Sequence, residues 1–349
     1  MKNYGFAIIG CGMISDFHSA AIAEMEYGQL VAVSSRSAEN AKRLVDRYDV
    51  PSYSDYHQML ARTDIDVVCI CTPSGAHMEP AVAAAKAGKH VIVEKPLEIT
   101  LDRCDAIIKA CQDNKVRLCA IFNSRFSEAS QIFKNTVDSG RLGRLTLGDA
   151  YVKWWRTQDY YDSGGWRGTW GLDGGGALMN QAIHAVDFLQ YLMGPVKSIQ
   201  AFTDTLAHQR IEVEDVAVAV LRFENGALGV IEGTTAAYPG WLRKIEISGT
   251  TGSIVLEDED IIKWDFAEPD PIDQQIIEKF AEQQSGGGGA SDPRAINHDN
   301  HRRQMEDLIL SIEEGRPHLV DGSEGRKAVE IILAIYKSNQ EGQVVHLPL

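Results

Sequence analysis

The sequence predicts an α/β protein: a parallel sheet covered by helices on both faces, then a second domain built on an antiparallel or mixed sheet. Three observations carry this. Apolar strands alternate with helical patterns through the first third of the chain. A strand, a glycine pair and a helix follow one another from Phe6 to Ser15 and on. From about Asn123, alternating strands separated by hairpin turns take over. At 349 residues the chain is too long for one ordinary domain and suits two, divided into 1–122 and 123–349.

In the first part, candidate strands are Tyr4–Ile9, Leu30–Ser34, Ile65–Cys71, His90–Glu94 and Val116–Phe122. Helical patterns fall at Ile14–Tyr27, Ala38–Tyr48, Ala76–Ala87 and Leu101–Asp113. Strands this continuously apolar are buried on both faces, as in a parallel sheet. Ligands of such sheets bind at the carboxyl ends of the strands, where the informative residues fall. After the first strand, Gly10 permits a tight turn. Gly12 removes a side chain, so a pyrophosphate can rest on backbone N–H groups at the helix start, around Met13 and Ile14. Ser15 holds the third fingerprint position, small but not glycine. After the second strand an acidic residue would ordinarily meet ribose hydroxyls. The chain instead reads Val33-Ser34-Ser35-Arg36-Ser37; Ser35 and Arg36 suit a 2′-phosphate, which favours NADP over NAD. Thr72-Pro73 and His77 follow the third strand, and Glu94-Lys95-Pro96 the fourth. At this sheet edge a lysine backed by proline reads as functional rather than as a surface residue.

In the second part, a helix at Ser127–Ser139 ends at Gly140. Strands follow at Leu145–Trp154, Val196–Leu206, Val216–Phe223, Ala227–Ala236, Lys244–Ser248 and Ser253–Leu256, with Glu224-Asn225-Gly226 as a hairpin turn. An open sheet with one uncovered face pairs with a copy of itself, so a homodimer or homotetramer is expected. The stretch Ala177–Leu192 reads as helix, with Asn180, His184 and Asp187 on one face. Asp187 suits buried hydrogen bonding, whereas His184 suits proton transfer near neutral pH. Between Tyr151 and Trp170, Trp154, Trp155, Tyr160, Tyr161, Trp166 and Trp170 interleave with Arg156 and Arg167, a composition suited to a hydroxyl-rich or anionic ligand. A glycine-rich loop spans 285–290, a helix begins near Asp299, and a last helix spans Ser323–Ser338. His298 and His301 stand three apart with no evident third ligand, so no metal is expected.

A net charge of −15 and a pI near 5.1 exclude nucleic acid and anionic membrane, which want a basic face. No apolar run approaches a membrane span and no signal-like segment precedes the first strand, so a cytoplasmic location is expected. The six cysteines form no C-x-x-C pair and read as small buried hydrophobes in a reducing compartment.

Together, Gly10 and Gly12, Thr72-Pro73 with His77, Glu94-Lys95-Pro96, and the glycine-rich lead into a helix with His184 resemble the Gfo/Idh/MocA oxidoreductases over nearly the whole chain. The resemblance implies an N-terminal Rossmann domain with a doubly wound parallel sheet, and a C-terminal α/β domain with an open, mostly antiparallel sheet. It implies hydride transfer between NAD(P) and a ring carbon of a sugar, sugar derivative or cyclitol. Lys95 and His184 become the catalytic pair: His184 takes the hydroxyl proton and Lys95 orients the oxygen, with the reverse assignment as the rival. Many members carry aspartate where this chain has Asn180, which cannot ionise but can hydrogen-bond a substrate hydroxyl. The segment from Trp166-Arg167 to Trp170, with Asn180, is similar to a branch acting on nucleotide-linked sugars. Arg125, Lys153, Arg156 and Arg167 are then candidates for an anionic substrate group. A non-catalytic NAD(P)-binding regulator, or a lyase or hydrolase retaining NAD, are the competing functions on this fold.

Overall fold

The structure is a computed structural model, and it describes residues 2–281 and 297–349. The glycine-rich stretch 285–290 lies outside the described residues. The chain divides into two compact units: Met1–Asn123 with Gly171–Gly174 and Asn297–Val329, and Ser124–Trp170 with Gly175–Ile296 and Glu330–Leu349.

The first unit holds strands β1 (Tyr4–Ile9), β2 (Gly28–Ser34), β3 (Ser52–Tyr53), β4 (Val67–Ile70), β5 (His90–Val93) and β6 (Leu118–Ala120). They form one parallel sheet in the order β3-β2-β1-β4-β5-β6. Every residue of β1 and β4 is buried, as their unbroken apolar runs require. Ser37, Thr100 and Ser127 each cap a following helix with a side-chain oxygen, at Asn40, Arg103 and Ser130 respectively. The helix Ile14–Ala23, which follows the glycine pair, has no side-chain cap.

A cut at 122 assigns everything beyond it to the second domain, whereas the contacts return 297–329 to the first unit. The reason is apolar burial. Met305, Leu308 and Ile309 of the helix Asp299–Glu314 share one core with Phe6, Ile8 and Ile22. Each such side chain contributes roughly 1.5–3 kcal/mol when buried. The same helix completes the backbone beside β6: the Gln304 side chain accepts from Phe122 N (3.2 Å) and donates to Ala120 O (2.7 Å).

The second unit holds β7 (Leu145–Lys153), β8 (Val196–Asp204), β9 (Val216–Phe223), β10 (Leu228–Thr234), β11 (Lys244–Gly249), β12 (Gly252–Glu257), β13 (Asp260–Phe266) and β14 (Val345–His346). Their order is β13-β12-β11-β7-β10-β9-β8-β14, and only the β7–β10 pair is parallel. One face is covered. Gly148 approaches Met193, Gly233 approaches Leu178, and Ala150 and Val152 are buried. On the other face Phe202, Val218, Val220 and Leu228 are exposed.

The stretch read as one helix from 177 is two helices of different winding. A π-helix, Ala177–Ala182, runs into an α-helix, Ile183–Met193.

Candidate active site

In the first unit the sequence-predicted residues gather at the carboxyl ends of β1, β2, β4 and β5. The two loop glycines are glycine for different reasons. Gly10 has φ +98°, and a Cβ there would lie 2.6 Å from the Cys71 carbonyl, so the fold itself demands glycine. A Cβ on Gly12 would meet no atom within 4 Å. Nothing among the described residues requires that backbone to be bare, whereas a pyrophosphate approaching the uncapped helix start would. Met13, beside it, is exposed. The residues present therefore fit a dinucleotide. Arg43, which sequence reasoning passed over, donates to Gly12 O (3.1 Å) and to Asp16 (2.8 Å), placing a cation beside this loop. Ser15 is fully buried and its hydroxyl donates to Gly12 O (2.5 Å).

Arg36 is exposed just beyond β2, and the Ser35 hydroxyl accepts from Ser37 N (3.1 Å). The Thr72 hydroxyl donates to Ala76 O (2.8 Å) across the short helix that Pro73 introduces. His77 is buried, with ring nitrogens 2.9 Å from both Thr72 O and Pro96 O. Burial pushes its pKa below the ordinary value. Its ring thus ties together the loops after β4 and β5 and is a strut rather than a surface turned toward a ligand.

Glu94 is similarly committed. Its Oε1 lies 2.8 Å from His18 Nε2 and 3.5 Å from His301 Nε2, and its Oε2 accepts the Lys95 N–H at 3.1 Å. Burial opposes the charged carboxylate, but the two imidazoles prevail and hold its pKa well below the usual range. His301 therefore does have companions: His18 and Glu94 each present a ligand-type atom beside it, all buried. Those atoms are engaged with one another, and the trio fixes the backbone of Lys95, which is half-buried and joined to Pro96 by a cis peptide.

In the second unit two candidates fall away from the substrate role. Arg125 is fully buried, bonded through two nitrogens to Asp187 (2.8 and 2.6 Å) and stacked over Tyr191 at 4.1 Å. That guanidinium is spent on the Asp187 carboxylate, which bears out the structural reading of Asp187. Lys153 pairs with Glu232 (2.8 Å) on the face of β7 opposite Ala150 and Val152, away from the side that Ile183–Met193 covers.

The remaining candidates converge. Arg156 donates to Gln181 Oε1 (2.8 Å) and lies over Trp154 (5.1 Å) and Tyr160 (5.6 Å). Arg167 lies over Tyr160 (4.8 Å) and Trp166 (5.1 Å). Gln181 Nε2 donates to the Tyr160 hydroxyl (2.9 Å) and to Asn180 Oδ1 (2.6 Å). Two guanidiniums thus flank one tyrosine ring beside the π-helix, with half-buried His184 in the first turn of the α-helix that follows. The stripe of Asn180, His184 and Asp187 assumed α-helical spacing throughout. The π-helix breaks that spacing at Asn180, and Asp187 turns into the core.

Two adjacent carboxylates absent from the sequence reading organise this cluster. Glu214 accepts from Gly176 N (2.9 Å), Leu178 N (2.9 Å) and the Tyr336 hydroxyl (3.0 Å). Asp215 accepts from Leu206, Ala207 and His208 N–H groups and from His208 Nδ1 (2.9 Å); His208 Nε2 reaches Arg156 O (2.8 Å). Burial pushes Glu214 up to about 7 against its hydrogen bonds. For Asp215 the contest reverses: hydrogen bonds, His208 foremost, overcome burial and hold it at about 2. The signal was present in Val213-Glu-Asp-Val216, two carboxylates between apolar residues just ahead of an apolar strand, which must be buried against donors.

Residues 4–122 match the oxidoreductase family with an NAD-binding Rossmann fold, and residues 131–255 match the GFO/IDH/MocA C-terminal domain. The chain belongs to the GFO/IDH/MocA family. As a member it is an NAD(P)-dependent oxidoreductase acting on CH–OH groups. The WlbA dehydrogenase of Bordetella pertussis, solved with NADH and UDP-GlcNAcA, is 34% identical with TM-score 0.88, each chain covered to 100%. The myo-inositol 2-dehydrogenase of Thermotoga maritima is 27% identical over 97% of both chains. The levoglucosan dehydrogenase of Pseudarthrobacter phenanthrenivorans is 31% identical over 74% of this GFO/IDH/MocA chain and 75% of its own.

Proposed function

We propose that this enzyme oxidises a ring hydroxyl of a nucleotide-linked sugar acid. The observation that carries this is the half-buried guanidinium of Arg167 over Tyr160 and Trp166, in the aromatic cluster beside Asn180. Inositol and levoglucosan are uncharged and offer this guanidinium no anion, whereas a sugar carboxylate does. The full-length similarity to a dehydrogenase solved with UDP-GlcNAcA points the same way. The nicotinamide, when bound, supplies the hydride acceptor. His184 takes the proton of the substrate hydroxyl as hydride leaves that carbon, and Lys95 donates a hydrogen bond to the same oxygen, stabilising the charge that develops there. Gly10, Gly12, Met13 and Ile14 hold the pyrophosphate; Thr72 and Pro73 shape the adjoining loop.

Arg36 and Ser35, with no carboxylate after β2, favour NADP over NAD. The Bordetella relative was solved with NADH, so calorimetry with both cofactors decides between them. A substrate panel of UDP-linked sugars with and without a C6 carboxylate, myo-inositol and levoglucosan tests the substrate class. The carboxylated sugar nucleotide is expected to give the highest kcat/KM, and Arg167→Ala to raise its KM while leaving that of neutral sugars alone. Faster turnover of myo-inositol or levoglucosan contradicts the proposal. Six unpaired, buried cysteines and a nicotinamide cofactor accord with the cytoplasm. The apolar face carrying Phe202, Val218, Val220 and Leu228 accords with pairing to a second copy in a dimer or tetramer.

A further inference from the structure

We propose that Glu214 is a positioning residue: it caps the π-helix Ala177–Ala182 from the loop ahead of β9 and thereby sets the aim of Asn180 and His184. The inference rests on the proton-transfer role proposed for His184.

The start of a helix leaves N–H groups without intrahelical acceptors. Here the cap is supplied by a residue outside the helix. Glu214 Oε2 takes Gly176 N at 2.9 Å, Oε1 takes Leu178 N at 2.9 Å, and the Glu214 carbonyl takes Ala177 N at 3.0 Å. Gly176 is locked against the same residue, since a Cβ there would lie 1.8 Å from Glu214 O. Three consecutive residues are therefore pinned to one buried glutamate. A π-helix is rare and accumulates at functional sites. Here it immediately precedes the turn bearing His184.

The groups facing the carboxylate are the Gly176 and Leu178 N–H groups and the Tyr336 hydroxyl, which also donates to Oε1 at 3.0 Å. Asp215 turns its own carboxylate to Leu206, Ala207 and His208 instead. Ionised Glu214 accepts all three donors. Protonated, it carries a hydrogen on one oxygen, and at least one of the three contacts weakens. With a folded-state pKa raised to about 7 by burial, the full cap is present above neutrality and is lost as pH falls through it. Tyr336 favours the ionised form, so removing its hydroxyl moves that transition to higher pH.

The experiment uses the full-length enzyme and two variants, Glu214→Gln and Tyr336→Phe, with kcat, KM and cofactor affinity measured across pH and the Gly176 and Leu178 amide shifts followed by NMR. In the wild type both amides titrate near neutrality. In Glu214→Gln that titration is absent and kcat falls on the order of tenfold to a hundredfold with cofactor affinity retained, as misalignment predicts. In Tyr336→Phe the amide titration and the matching limb of kcat both move to higher pH. Wild-type kcat in Glu214→Gln overturns the proposal, as does an unmoved limb in Tyr336→Phe. Loss of cofactor affinity in step with kcat makes Glu214 merely structural and overturns it as well. His184→Ala separates the two readings: full activity there sinks the role of His184, whereas a dead His184→Ala beside a fully active Glu214→Gln sinks only the cap.

Discussion

Gly10 and Gly12 stand two positions apart and respond to opposite pressures. Gly12→Ala is expected to leave the melting temperature unchanged while weakening dinucleotide binding by about tenfold or more, because the new methyl enters open space that the pyrophosphate needs. Gly10→Ala is expected to cost about 1–2 kcal/mol from its left-handed backbone alone, before its contact with the Cys71 carbonyl. Thermal melts and calorimetry separate the two, and a Gly12→Ala variant that binds cofactor normally removes the phosphate role from this loop. Both glycines were legible from their place after an apolar strand. What one sequence cannot reveal is which arginine is spent. Arg125, Arg156 and Arg167 look alike in the chain, yet Arg125 is buried on Asp187, 62 residues away, and Arg156 is buried on Gln181 and the Trp155 carbonyl, while Arg167 is half-buried over tyrosine and tryptophan rings. Glu94 and His77 were legible as residents of the right sheet edge. Their commitment to His18, His301 and backbone carbonyls was not, because those partners come from separate elements.

At the scale of elements, local signals worked where the element decides its own structure. The strands Tyr4–Ile9 and Val216–Phe223 and the helices Ala38–Tyr48 and Leu101–Asp113 fall where their periodicity and flanking residues place them. Reading failed where a distant group decides. The π-helix depends on Glu214, 38 residues from Gly176, and nothing within Ala177–Ala182 announces that winding. The strand Asp260–Phe266 was passed over because charges interrupt its apolar pattern, and the strands Ser52–Tyr53 and Val345–His346 are too short to carry one. The helix Asp299–Glu314 reads correctly as a helix. Its membership of the first unit follows only from where Met305, Leu308 and Ile309 are buried.

Over the whole molecule, an acidic chain displays an apolar sheet face. With a net charge of −15, random association is disfavoured, so apolar residues left exposed on adjacent strands call for a specific partner. A second copy meets that need by isologous pairing. Phe202→Glu combined with Val220→Glu is expected to shift the mass in light scattering to that of a monomer, and an unchanged oligomer or a monomeric wild type counts against pairing through this face. The central claim is that Lys95 and His184 carry the proton chemistry of hydride transfer on a nucleotide-linked sugar acid. Its most direct test is turnover of a carboxylated UDP-sugar by wild type, Lys95→Ala and His184→Ala, followed by nicotinamide absorbance, with cofactor binding measured in parallel. The account predicts that each variant loses on the order of 10²–10⁴-fold in kcat while cofactor affinity holds. Wild-type turnover in either variant would contradict it.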